Sequence, residues 1–98
     1  MKKVFVIDVQ DNVGTVVVAA LDDGEEVGTN GRISDVVVKS RCDIPYGHKI
    51  ALRNIAKGDT IFKYGLSIGS ATEDIKAGDH VHIHNVESNR GRGDLANK

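Results

Sequence analysis

The chain has 98 residues, 40% hydrophobic and 28% charged, which is the composition of one ordinary globular domain burying about 60–65% of its unfolded surface. Its formal net charge of −1 removes any general case for a nucleic-acid or membrane partner, and no run approaches the roughly 18 apolar residues of a membrane span. With four aromatics and no tryptophan, the core has to be Val, Ile, Leu and Ala, which suits strands better than bundled helices.

Val4 to Val9 is rich in β-branched residues and predicts a first, buried strand. Its basic start resembles a signal peptide, but Asp8 and Gln10 cut the apolar run too early. Asp11 and Asn12 make a turn or the N-cap of a short helix over Val13–Ala20; Val16-Val17-Val18 argues for strand, and Asp11 in front tips the reading to helix. Asp22 to Glu26 and Gly28 to Gly31 are turns, and the glycines permit positive φ. Ser34 to Ser40 predicts a strand. Cys42 is the one cysteine, so no internal disulfide framework exists, in keeping with a reducing cytoplasm. A connector around Pro45 leads to Gly47-His48, and Ile50 and Leu52 then alternate with charged residues as on a half-exposed strand.

The second half repeats itself. Ile55-Ala-Lys-Gly58-Asp59-Thr-Ile61 and Ile75-Lys-Ala-Gly78-Asp79-His-Val81 align at an offset of 20 residues. Each copy feeds a strand, 60–64 and 80–86, with a return strand over Ile68 to Thr72. Short strands about ten residues apart with glycine turns indicate a compact β fold. Glu87 to Lys98 has almost no apolar side chain and cannot fold alone.

The chemistry concentrates in Ala77-Gly-Asp-His-Val-His-Ile-His-Asn85. Strand side chains alternate faces, so a single strand over 80–86 points His80, His82 and His84 one way and anchors Val81, Ile83 and Val86 on the other. Neutral imidazoles at that spacing can bind a transition metal, and protonated ones an anion. A plain solvated face is the alternative. The His-x-His of cupins does not fit, because Gly78, His82, His84 and Glu87 have the wrong spacing.

Three segments together carry a family likeness: Pro45-Tyr-Gly-His-Lys-Ile-Ala-Leu-Arg-Asn-Ile55, then Ile61-Phe-Lys-Tyr-Gly65 with Ile68-Gly69 and Ala71-Thr72, then Lys76 to Asn85. In this order they resemble the small subunit, or N-terminal SAF domain, of the altronate dehydratase family, which includes galactarate dehydratase and sulfolactate sulfo-lyase. The resemblance covers residues 3–95. It implies a mostly β fold, a small SAF-type β-clip over residues 1–86 with at most one or two short helices. The polar tail over 87–98 is then disordered or docks on a partner. It also implies removal of water, or sulfite in one branch, from a sugar acid to give a 2-keto acid. The implied cofactor is a divalent metal, Fe(2+) first and Mn(2+) second, shared with a large catalytic subunit, and ending at Lys98 suggests a separately encoded small subunit. Leu66, Ser70 and Asn54 stand where the family carries charged residues, which bears on the substrate, and His80 falls where the family varies.

The expected catalytic residues are His82, His84 and His48, with His82 and His84 as metal ligands. Asn85, Asn89, Arg90 and Arg92 are the expected substrate contacts, because arginine clamps carboxylates in bidentate fashion and amides orient hydroxyls. Lys49 and Arg53 read as a solvated face. The expected partners are the large subunit and a small sugar acid, with no nucleic acid and no membrane, and self-association when alone. A stand-alone module binding a sugar acid or a protein is the competing function, and a sulfolactate sulfo-lyase small subunit is another.

Overall fold

A computed structural model describes residues 1–17, 19–33 and 36–88. Within them the chain forms β1 (Lys2–Val6), β2 (Val13–Val16), β3 (Glu26–Gly31), β4 (Val37–Lys39), β5 (Lys49–Ala51), β6 (Thr60–Lys63), β7 (Leu66–Ala71), β8 (His80–Val81) and β9 (Val86–Ser88). The fold is all-β, as the resemblance implies for a small β-clip. No helix long and apolar enough to cross a membrane occurs among these residues. One sheet runs β4-β3-β1-β2-β5-β8 and the other β6-β7-β9. Only β1 and β3 pair in parallel, each of the other ladders being antiparallel.

Alternation along β2 and β5 explains how so small a chain builds two cores. Val16 and Ile50 pack with Val4, Val6, Leu21 and Ile44. Val13 and Ala51, facing the other way, pack with Ile55, Ile61, Ile75 and Val81. All four residues of β2 are buried, because its two faces serve different clusters.

Where a helix is expected over Val13–Ala20, Val13–Val16 is a strand, β2, and residues 17, 19 and 20 are irregular. Asp11 is not its N-cap. Its carboxylate instead accepts hydrogen bonds from the backbone N–H of Ile7 (3.3 Å), Asp8 (3.2 Å) and Gly65 (2.8 Å). Asn12 also joins distant parts: its amide donates to the Thr60 carbonyl at 2.9 Å and accepts from the Phe62 N–H at 2.8 Å. The expected strand over Val4 to Val9 is shifted to Lys2–Val6 because Asp8 and Asp11 build this turn.

Among the described residues the internal repeat has four copies, two beyond the pair that begins at Ile55 and Ile75. Leu21-Asp-Asp-Gly24, Ile44-Pro-Tyr-Gly47, Ile55-Ala-Lys-Gly58 and Ile75-Lys-Ala-Gly78 each make a bridge residue, a turn and an entry into extended chain. The four glycines have φ of 85°, 85°, 90° and 93°, the left-handed value that a turn of this kind needs at its third position. The bridge residues pair two by two, Leu21 with Ile44 and Ile55 with Ile75, which is a pseudo-twofold arrangement. Gly78 is constrained further, since a Cβ there would lie 2.0 Å from the Lys39 carbonyl oxygen.

The predicted strand over 80–86 is broken. β8 ends at Val81, residues 82–85 turn, and β9 returns along β7. The cause is Asn85, only 3% exposed, whose amide accepts from the His82 N–H (3.0 Å) and donates to the His80 carbonyl (2.8 Å). Two expectations change with it. Ile83 is not an anchor but is 84% exposed, and the ordered fold continues past residue 86 through β9.

Candidate histidine site

The site is set by the pairing of β5 with β8, in which Lys49 faces Val81 and Ile50 faces His80. One step further in the same antiparallel register, His48 faces His82. Each strand's period of two puts 48, 80 and 82 on one side of the ladder. The His48 and His82 rings stack, with centroids 4.1 Å apart and planes at 21°. His48 Nδ1 and His80 Nε2 are 2.8 Å apart, so one ring donates a hydrogen bond and the other accepts. His80 and His82 lie 5.5 Å apart and nearly parallel, at 11°. One nitrogen from each of His48, His80 and His82 falls within 4.8 Å of the others.

His84 is exposed and touches the group from outside, its ring 5.2 Å from that of His80 and tilted by 45°. The close pair is therefore His48 with His82; of the two expected metal ligands, His82 lies within the group of His48, His80 and His82 and His84 lies against its edge. The turn at 82–85 causes this by carrying His84 off the ladder. Asn85 is buried, and its amide is bonded within its own turn. Asn89, Arg90 and Arg92 lie outside the described residues.

Burial and neighbouring positive charge disfavour protonation of two of these rings. His80 is held below the ordinary imidazole value first by burial, then by His48, His84, His82 and Lys49. His82 is lowered by partial loss of solvent, then by His48, Lys49 and His84. Each of these neighbours would carry positive charge, and like charges resist a further proton. Lys49 is not the solvated side chain expected of it. It is half-buried, and burial followed by the Lys63 charge lowers its ammonium below the usual lysine value. With His82, Ile68, Ile83 and Val86 it lines a cavity of about 250 Å³, small beside common ligand pockets of about 300–1,000 Å³.

His80, placed on the histidine face by the sequence but not among the expected site residues, and Lys49, read there as solvated, are the added members. The register joining 48–50 to 80–82 would have exposed both. Three imidazoles are a donor set for divalent ions such as iron, zinc or nickel, and are less suited to manganese, which favours oxygen ligands. The same groups can orient a substrate or carry protons.

The family model of the altronate/galactarate dehydratase SAF domain matches residues 2–89. Altronate dehydratase of Bacillus subtilis is 40% identical over 89 residues, which is 91% of this chain and 17% of that protein. Altronate dehydratase of Escherichia coli is 48% identical over 79 residues, 81% of this chain and 15% of that protein. The (2R)-sulfolactate sulfo-lyase subunit alpha of Chromohalobacter salexigens is 40% identical over 91 residues, 88% of this chain and 95% of the subunit. The chain therefore spans about one sixth of the dehydratases it matches and nearly all of the sulfo-lyase subunit.

Proposed function

Because the chain belongs to the altronate/galactarate dehydratase SAF-domain family, we propose that it is the small subunit of a hydro-lyase that dehydrates an altronate-like sugar acid to a 2-keto-3-deoxy acid. It completes the active site of a larger catalytic partner. The observation carrying this reading is the open cluster of His48, His80 and His82, with His84 and Lys49 beside it. A group of imidazoles beside a small open cavity has the reagents for elimination but not the walls to exclude water.

Dehydration of a hydroxy acid requires a base for the proton beside the carboxylate, an acid for the departing hydroxide, and positive charge for the enediolate. His84 is exposed and can exchange protons with a substrate held by the partner. His82 and His48, stacked on each other at the end of the β5–β8 ladder, present ring nitrogens to the same region. Lys49 supplies a cation within electrostatic reach of His82. A divalent metal, Fe(2+) before Mn(2+), would when bound supply Lewis acidity for the leaving group, and the imidazole donors suit iron. Exposed Ile83, at the edge of the cavity, is an apolar contact for the partner. Substrate contacts from Asn89, Arg90 and Arg92 belong to the same proposal, as does the cytoplasm as the place of sugar-acid breakdown.

A second reading is the small subunit of a sulfolactate sulfo-lyase, favoured by the 95% coverage of that relative. Co-expression with a large partner tests both. The first reading requires a stable complex forming 2-keto acid from altronate, with His82→Ala lowering kcat/KM by about 10²–10⁴-fold while the complex persists. Sulfite release from (2R)-sulfolactate without altronate turnover moves the assignment to the second. Ligand binding by this chain with no partner and no turnover in either complex supports a stand-alone module.

A further inference from the structure

We infer that His48, His80 and His82 form a three-imidazole site that binds one divalent transition ion within this chain alone, before any partner is present. The inference draws on the lyase reading only for the metal's use in catalysis. The binding itself follows from the cluster's geometry.

The three donor nitrogens already converge. Tetrahedral nitrogen ligands about 2.0–2.1 Å from a zinc-sized ion are about 3.3 Å from one another. The three histidine nitrogens already lie within 4.8 Å, so the widest separation closes by about 1.5 Å on binding. Two of the ligands, His48 immediately before β5 and His80 on the neighbouring β8, have nitrogens 2.8 Å apart. The third, His82, begins the turn after β8 and is half-buried, so its ring can swing while the ladder stays fixed. Preordering two ligands on a sheet removes much of the entropy that a flexible site would lose.

The chemistry agrees with the geometry. A metal and a neighbouring ring compete for the same lone pair, so ligation breaks the His48–His80 hydrogen bond. The donor ring moves its proton to its other nitrogen, and the net charge of the pair does not change. Three protein ligands leave an outer coordination position open, as in catalytic zinc sites. His84, tilted and exposed, stays outside the set, which separates this site from a simple row of histidines on one strand.

The test uses the purified chain, stripped with chelator and titrated with Co(2+) and Zn(2+). One equivalent should bind in calorimetry, with a visible Co(2+) spectrum of nitrogen ligation. Co(2+) should broaden the ring signals of His48, His80 and His82 beyond those of His84. His80→Asn should weaken binding by at least about tenfold, and His84→Asn should change it far less. The ring-signal measurement on the unaltered chain stands even if a variant fails to fold. Absence of stoichiometric binding, binding indifferent to His80→Asn, or inorganic phosphate binding in place of metal would overturn the inference. A chain that binds metal but forms no active complex sinks the lyase reading alone, and an active complex whose small chain binds no metal sinks this inference alone.

Discussion

Replacing Asn85 by alanine isolates the device that turns a three-histidine strand into a cluster. The side chain makes two hydrogen bonds, to the His82 N–H at 3.0 Å and the His80 carbonyl at 2.8 Å, and is almost wholly buried. Each bond is worth about 1 kcal/mol net, and a partner left unsatisfied away from water costs about 1–3 kcal/mol. Asn85→Ala should therefore cost about 2–4 kcal/mol, a large part of the roughly 5–15 kcal/mol that holds a domain folded. Urea denaturation should show a lower midpoint with an unchanged m-value. Heating should show a melting temperature lower by at least about 8 °C, at about 4–8 °C per kcal/mol for a domain of this size. A loss below about 0.5 kcal/mol would mean that the turn holds itself without the amide, and the account of the broken strand would fail.

The glycines of the repeat should separate by their surroundings. Gly47→Ala meets open space and bears only the left-handed backbone, a cost of about 1–2 kcal/mol, whereas Gly78→Ala adds a collision with the Lys39 carbonyl and should cost more than about 3 kcal/mol; denaturant melts giving equal losses would refute the distinction. Stability should also fall in mild acid. His80 and His82 titrate lower in the folded chain than free imidazole, so the folded state binds fewer protons than the unfolded one, and their contribution is full above about pH 6.5 and lost as pH drops toward the lowered values. Melting curves from pH 7.5 to 5 that stay flat or rise in acid would contradict this. Lys49→Gln removes a charge acting on both rings and should move both titrations upward by NMR, and no movement would place Lys49 too far away to matter.

Much of the fold could be read from the chain, and the misses have specific causes. Glycine and β-branched spacing located most strands, and two of four repeats announced themselves by a shared Gly-Asp. The other two were hidden because Asp22-Asp23 and Pro45-Tyr46 fill the same frame with unrelated side chains. Asp11 looked like a helix cap because local sequence cannot show that its carboxylate serves Gly65, 54 residues away. Alternation over 80–86 mimicked an unbroken strand, since nothing local reveals that Asn85 folds back on His80 and His82. The pairing of His48 with His82 depends on register between β5 and β8, which periodicity within either segment does not contain.

The amide of Asn12 has a consequence for how the molecule comes apart. It lies in the loop entering one sheet, yet its side-chain bonds end 48 and 50 residues later on a strand of the other. A fragment lacking β6 would bury a polar group with nothing to receive it, and β2 would keep an oily side with no cover. Halving this chain should therefore yield two sticky, unstructured peptides, and the intact one should melt in a single cooperative step.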